Sequence, residues 1–167
     1  LLMTMSEDMP SVASILNGFP ESEIADILWR YGELRNSRSI AKDIVLYRAE
    51  KRFVVVRDLL EAIGAVSRGN KHTHQATRVF QALRIAANDE LQVLEEGLRE
   101  AWKTIDAKGH IAVLTYHSLE DRIVKNMFKT FAVDPGAVLT KKVIKPTYEE
   151  IKVNPSARSA KLRIIQK

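Results

Sequence analysis

The sequence predicts a mixed α/β protein, helical in its first part and combining helices with strands in its last. Three observations carry this. Apolar residues return every three or four positions through most of residues 20–105, a short apolar run follows at 111–116, and apolar and basic residues alternate near the end. Helix, strand, tight turn, helix is the order of an α/β sheet. With 167 residues, 46% of them apolar, the chain suits one domain or two small ones. The absence of Cys excludes a disulfide framework, a thiolate zinc site and a cysteine nucleophile. No apolar run approaches the roughly 18 residues of a membrane span, and LLMTMSEDMP lacks the basic and apolar regions of a signal peptide, so a cytoplasmic protein is expected. The chain begins at Leu1 without an initiator Met, as a fragment would.

Each element has its own signal. Pro20 stands where a first-turn proline belongs, Glu21, Glu23 and Asp26 place negative charge near the positive end of the helix dipole, and Ile24, Ile27, Leu28 and Tyr31 keep helical spacing until Gly32 closes the segment. Asn36 or Ser37 can cap a second helix marked by Ile40, Ile44, Val45 and Ala49. Phe53 to Val56 is extended in character, and Leu59, Leu60 and Ile63 resume the helical period up to Gly64. Residues 66–75, VSRGNKHTHQ, read as a basic loop. From Ala76 one long amphipathic helix is expected through Phe80, Leu83, Ala87, Leu91, Leu94, Leu98, Trp102 and Ile105, ended by Gly109. Ile111 to Tyr116 has the length of a buried strand, and Leu119, Ile123, Val124, Met127, Phe128 and Phe131 trace another helix. Two further strands, 138–144 and 160–165, are joined through a short helix near Tyr148 and the loop NPSARS.

Charge is segregated. Residues 1–33 carry a net −5, 34–84 a net +7, 85–121 a net −5 and 122–167 a net +8. If the two basic blocks meet they form a surface suited to a polyanion, because neutralising phosphates releases counterions. Lys and Arg that simply solvate helix faces give the same composition. Arg78, Arg84 and Asn88 read as a polar stripe, either for phosphate or for surface ion pairs.

Three motifs resemble sites without satisfying them. Gly64, Gly69 and Lys71 imitate a phosphate-binding loop, but Asn70 displaces the Lys and His72 replaces the magnesium-binding hydroxyl. His72 and His74 lack a third ligand, so no metal is expected. His117, Ser118, Glu120 and Asp121 follow the first strand, where ligands of open α/β sheets bind. Neighbours in a turn do not aim at one another as a catalytic triad must. Ser118-x-x-Asp121 instead fits a capping box, leaving His117 able to face a ligand.

ATRVFQALRIAANDEL (76–91), GHIAVLTYHSLEDRIVK (109–125) and NPSARSAKLR (154–163) together resemble the bacterial small-subunit ribosomal RNA cytosine-N4 methyltransferase family, and SEIADILWRYGE with SRSIAKDIV is similar to its inserted helical domain. The resemblance implies the C-terminal portion of a Rossmann-like class I methyltransferase sheet with an inserted all-helical domain: residues 1–8 a remnant of the core, 9–75 the insert and 76–167 the rest of the core. It implies S-adenosylmethionine as cofactor, N4-methylation of a cytidine as reaction, and small-subunit ribosomal RNA or the small ribosomal subunit as partner. His117 and Asn154 are then expected in the target pocket. Arg68, Lys71, Arg78, Arg84, Arg122, Arg158, Lys161 and Arg163 are expected on RNA. His74, Thr77, Gln81 and Asn88 also match the family at the entry to the long helix. The family's glycine-rich cofactor loop lies upstream of residue 1, and no G-x-G pair occurs here, so no cofactor-binding residue is expected in this chain and the isolated chain is expected to be inactive. Leu2, Thr4, Ser156 and Ala157 depart from the family pattern. The alternative is a noncatalytic RNA-binding or interaction module derived from that enzyme.

Overall fold

The computed structural model describes residues 1, 3, 9–64, 70–133 and 136–167, without the side chains of 70–74. It divides into two compact units, Leu1–Glu90 and Leu91–Lys167.

The first unit is helical: α1 (Val12–Gly18), α2 (Glu21–Gly32), α3 (Ser37–Glu50), α4 (Val56–Ala62) and α5 (Asn70–Asn88). Helix α1 has no counterpart among the sequence expectations, although Ser11 caps it by accepting from the Ser14 N–H and Val12, Ile15 and Leu16 supply its buried face. Helix α2 packs on both α3 and α5 around Ile24, Leu28, Ile40, Ile44, Phe53, Leu59, Val79 and Leu83. Gly32 is the last helical residue of α2 and it is Glu33 that takes the left-handed conformation. The glycine is needed for close approach: a Cβ there would stand 3.0 Å from Leu34 Cδ1 and 3.2 Å from the Arg78 carbonyl oxygen. The backbone of Asn70–Gln75, expected in a loop, already belongs to α5.

The expected single helix from Ala76 to Ile105 is two. Asp89, left-handed at φ 48°, separates α5 from α6 (Glu90–Thr104). An Asp tolerates that conformation, and the break is held by Asn88 Nδ2 donating to the Met3 and Arg84 carbonyls and by Arg84 donating to both oxygens of Glu90 at 2.7 and 2.9 Å. Hydrophobic periodicity passes over such a break because one residue out of register barely alters an i, i+3, i+4 pattern.

In the second unit α6 is followed by β1 (His110–Thr115), α7 (Ser118–Phe131), β2 (Ala137–Val138), α8 (Tyr148–Val153), a 3₁₀ turn (Pro155–Ser159) and β3 (Lys161–Gln166). Helix α6 ends at Thr104, before Gly109, and Lys167 Nζ donates to the carbonyls of Trp102, Lys103 and Ile105 at its negative end. The sheet order is β1-β3-β2, all antiparallel, with Ile111 opposite Ile165, Val113 opposite Arg163 and Thr115 opposite Lys161. The strand expected at 138–144 shrinks to Ala137–Val138 and an isolated bridge from Ile144 to Leu162. β1 is not buried on both faces: its residues alternate. Ile111, Val113 and Ile165 meet Leu98, Val124 and Phe128, whereas Leu114 is half exposed. Gly136 lies so close to Trp102, which stacks on Phe131, that a Cβ would come within 2.6 Å of its ring. No helix among the described residues is long and apolar enough to cross a membrane.

Candidate functional site

Antiparallel pairing places the C-terminal end of β1 beside the N-terminal end of β3, so the turn into α7 and the segment 154–160 that leads into β3 lie at one end of the sheet. Thr115 Oγ1 donates to the Lys161 carbonyl there.

The N-cap of α7 is His117, not Ser118. His117 Nδ1 accepts from the Glu120 N–H at 3.3 Å, while Glu120 Oε2 accepts from the Tyr116 and His117 N–H groups at 2.9 and 3.2 Å. The capping box expected from Ser118 and Asp121 is therefore shifted by one residue, because an imidazole with an unprotonated Nδ1 serves as the acceptor that a hydroxyl usually provides. His117 Nε2 is buried, 3.0 Å from Glu120 Oε1 and without the alignment of a hydrogen bond. With Nδ1 accepting, the neutral ring carries its hydrogen on Nε2. Burial raises the pKa of Glu120, but the His117 ring and the Tyr116 N–H outweigh it and hold the carboxyl below its usual range.

Asp121 is thereby released from capping. Its carboxylate accepts from Arg163 Nε at 2.7 Å and Nη2 at 3.3 Å, and from Lys161 Nζ at 3.5 Å, tying the first turn of α7 to β3. The Arg163 guanidinium holds the Asp121 carboxyl below its usual range. With Glu120 in the same turn, two carboxylates balance Lys161 and Arg163 at this end of the sheet, beside the positive end of the α7 dipole.

The other expected site residues are dispersed. Asn154 is exposed and closes α8, its N–H donating to the Glu150 carbonyl and its own carbonyl accepting from Ala157. Arg122 and Arg158 are exposed. Arg78 donates to the carbonyls of Gly32 and Glu33 at the end of α2, and Arg84 pairs with Glu90. The stripe expected of Arg78, Arg84 and Asn88 does not form: six positions at 100° each put Arg78 and Arg84 about 120° apart. Gln81 Nε2 donates to the Tyr31 carbonyl, so this part of α5 is spent on α2. Arg68 lies outside the described residues, as do Leu2 and Thr4 and the side chains of Lys71, His72 and His74. Among the described residues no three His, Asp or Glu gather to hold a metal.

Sequence reasoning missed two features of this end of the sheet. Tyr116 is 53% exposed at the exit of β1. On the sheet face away from α7, Leu114, Ile144, Pro146, Ala160 and Leu162 line a shallow pocket of about 150 Å³ rimmed by Lys145 and Glu150. The alternation of β1 was the available signal, hidden by its continuous apolar sequence.

The turn after β1 contains no glycine, and the Glu120 N–H, which would otherwise face a ligand, is taken by His117. This turn does not form a nucleotide cradle.

A family model described as the MraW methylase family matches residues 1–167. The chain is 51% identical over 154 residues to ribosomal RNA small subunit methyltransferase H of Dictyoglomus thermophilum, covering 92% of this chain and 51% of that protein. It is 47% identical over 154 residues to the protein of that name from Coprothermobacter proteolyticus, with 92% and 52% covered, and 43% identical over 180 residues to that of Paramagnetospirillum magneticum, with 96% and 57% covered. The chain spans about half the length of the curated relatives it matches.

Proposed function

The chain belongs to the MraW methylase family, and from that premise we propose that it forms part of a cytoplasmic enzyme that transfers a methyl group from S-adenosylmethionine to N4 of a cytidine in small-subunit ribosomal RNA. In this reading residues 1–8 and 76–167 belong to a Rossmann-like core, and 9–75 to a helical insert. The observation that carries it is the convergence, through β1 and β3, of the family motifs 117–122 and 154–163 at one end of a sheet. S-adenosylmethionine, when bound, would supply the methyl group.

What this chain's residues do is position and bind. An exocyclic amine is a weak nucleophile because its lone pair is delocalised into the ring, so orientation dominates the rate. His117 and Asn154 are assigned to the walls of the target pocket. Held in the α7 cap through Nδ1, His117 shapes that pocket. Lys161, Arg163, Arg158 and Arg122 are assigned to phosphates, as are Arg68 and Lys71 of the insert; Arg78 and Arg84, engaged by the carbonyls ending α2 and by Glu90, are withdrawn from that role.

In the full-length enzyme, His117→Ala is expected to lower turnover on small ribosomal subunits by about 100-fold while changing RNA affinity little. Equal turnover would remove His117 from the mechanism. Charge reversal at Lys161 or Arg163 is expected to weaken binding and to flatten the log–log salt dependence by roughly 0.7 per lost phosphate contact on single strands. Unchanged slopes for both would take the sheet end out of the RNA interface.

A further inference from the structure

The net positive charge of the chain belongs to one unit. Leu1–Glu90 holds 12 Lys and Arg against 12 Asp and Glu, whereas Leu91–Lys167 holds 14 against 9. Within the second unit the cations of α6 are matched on their own helix, Arg99 by Glu95 and Lys103 by Glu100, and Lys161 and Arg163 are matched by Asp121. The surplus lies elsewhere. From Gly136 to Ser159, Lys141, Lys142, Lys145, Lys152 and Arg158 stand against only Glu149 and Glu150. Lys145 shares the rim of the shallow pocket with Glu150, which offsets it. Lys141 and Lys142 are exposed, make no ion pair among the described residues, and sit in a stretch, 136–148, that contains no carboxylate.

The backbone explains where these two lysines stand. Leu162 and Ile164 are two residues apart on β3, and a regular antiparallel partner would span them with one residue between. The chain uses three. The Thr140 hydroxyl accepts the Ile164 N–H at 2.9 Å, and the N–H groups of Leu139 and Thr140 donate to the Ile164 carbonyl. Ile144 then rejoins β3, exchanging backbone hydrogen bonds of 3.1 and 2.9 Å with Leu162. Lys141, Lys142 and Val143 are thereby lifted out of the ladder as a bulge fastened at both ends. Because Leu162 also pairs with Leu114, the bulge stands toward the end of the sheet where β1 delivers the turn into α7 and 154–160 leads into β3.

Lysines on a bulged strand also blunt an open sheet edge. Here that need is weak, because the bulge already interrupts pairing where they stand, while the regular edge residues Ala137, Val138, Leu139 and Thr140 carry no charge. Two adjacent, uncompensated ammonium groups on a fixed base instead suit the phosphates of a polyanion, which a lysine meets as a point charge without reading a base. We propose that the Lys141–Lys142 bulge is a phosphate-backbone contact of the RNA substrate, holding the strand at the sheet edge beside the family motifs. This rests on the RNA reading given above and adds to it two residues and a sequence-independent mode of contact.

The test is equilibrium binding of a fluorescein-labelled single-stranded RNA to the 167-residue chain, followed by anisotropy across a salt series. Since both side chains are exposed and unpaired, Lys141→Gln with Lys142→Gln is expected to keep the wild-type melting temperature. Binding should weaken about 25-fold at about 0.1 M salt and the log–log slope should flatten by about 1.4, the loss of two phosphate contacts. Lys141→Arg with Lys142→Arg keeps the charges and should bind as wild type does. Lys125→Gln with Lys129→Gln removes the same charge from the solvent side of α7 and should leave the slope as it is. On a strand of the same sequence with uncharged methylphosphonate linkages, wild type and the bulge variant should bind alike. An unchanged slope in the bulge variant, an equal loss in the α7 variant, or a difference that persists on the uncharged strand overturns the bulge contact and leaves the RNA reading standing. Unchanged affinity with new self-association in light scattering also overturns it and assigns the lysines to edge protection. A folded wild-type chain that does not bind the charged strand overturns both.

Discussion

The two units hold similar numbers of Lys and Arg, 12 and 14, but use them differently. In the helical unit several cations are spent on the fold. Arg48 donates to the carbonyls of Leu16 and Phe19 at the end of α1, Arg78 to those ending α2, Lys51 meets the buried Asp58 at 2.6 Å, and Arg84 fixes the α5–α6 break. In the sheet unit Lys125, Lys129, Lys141, Lys142, Lys145 and Arg158 are exposed, and the partly buried pair Lys161 and Arg163 shares one carboxylate. A basic stretch thus need not be a binding surface. Carbonyls at a helix end attract a guanidinium by the same charge logic as a phosphate does.

The apolar cores differ as well. The helical unit buries residues from α1 through α5 in a broad cluster, while the buried apolar residues of the sheet cluster are Leu98, Val124, Phe128 and Ile165. The largest expected effect therefore comes from Phe128→Ala, at about 3–5 kcal/mol. Hydrogen exchange should accelerate through β1, α7 and β3. If Leu28→Ala in the helical unit abolishes protection across its own unit while Phe128→Ala spares the sheet, the contrast in core size has been misread.

A smaller cost tests close approach in the helical unit. Gly32→Ala pushes a methyl group against Leu34, the Arg78 carbonyl and Ala82, at about 1–3 kcal/mol. Gly18→Ala, with open space around the added carbon, is the comparison and should not show that loss. Equal denaturation midpoints for the two would mean that the α2–α5 contact relaxes without strain.

Acid should separate the units most gently. Asp58 is held far below the usual carboxylate range, first by Lys51 and then by the Val55 and Val54 N–H groups, whereas Glu120 and Asp121 are lowered less. Each is more acidic folded than unfolded. Its contribution is therefore complete above the unfolded value near 4 and is lost as pH falls through the folded value. As pH falls below about 4 the first turn of α7 should loosen before the Asp58 cluster does. Amide exchange at Glu120 and Asp121, read against Val54 and Val55, reports the order. The reverse order would show that solvent screens Asp58 more than its geometry implies.

Local physics made much of this protein legible in its sequence. The spacing of Ile24, Leu28, Ile40 and Ile44 is the buried face of α2 and α3, and Ile111–Tyr116 is close to β1, because helix and strand periods are written in adjacent residues. The segments 76–91, 109–125 and 154–163 together carried the resemblance to the family whose model matches residues 1–167. What adjacency does not encode was decided by the fold. That Asp121 turns to Arg163 and Lys161 depends on β3 arriving antiparallel beside β1 from 40 residues away. That Arg78 ends α2, and that Gly32 must lack a side chain, depends on where α5 crosses. A polar side chain takes whichever partner the packed chain brings within about 3 Å, and that choice is made only when distant segments meet.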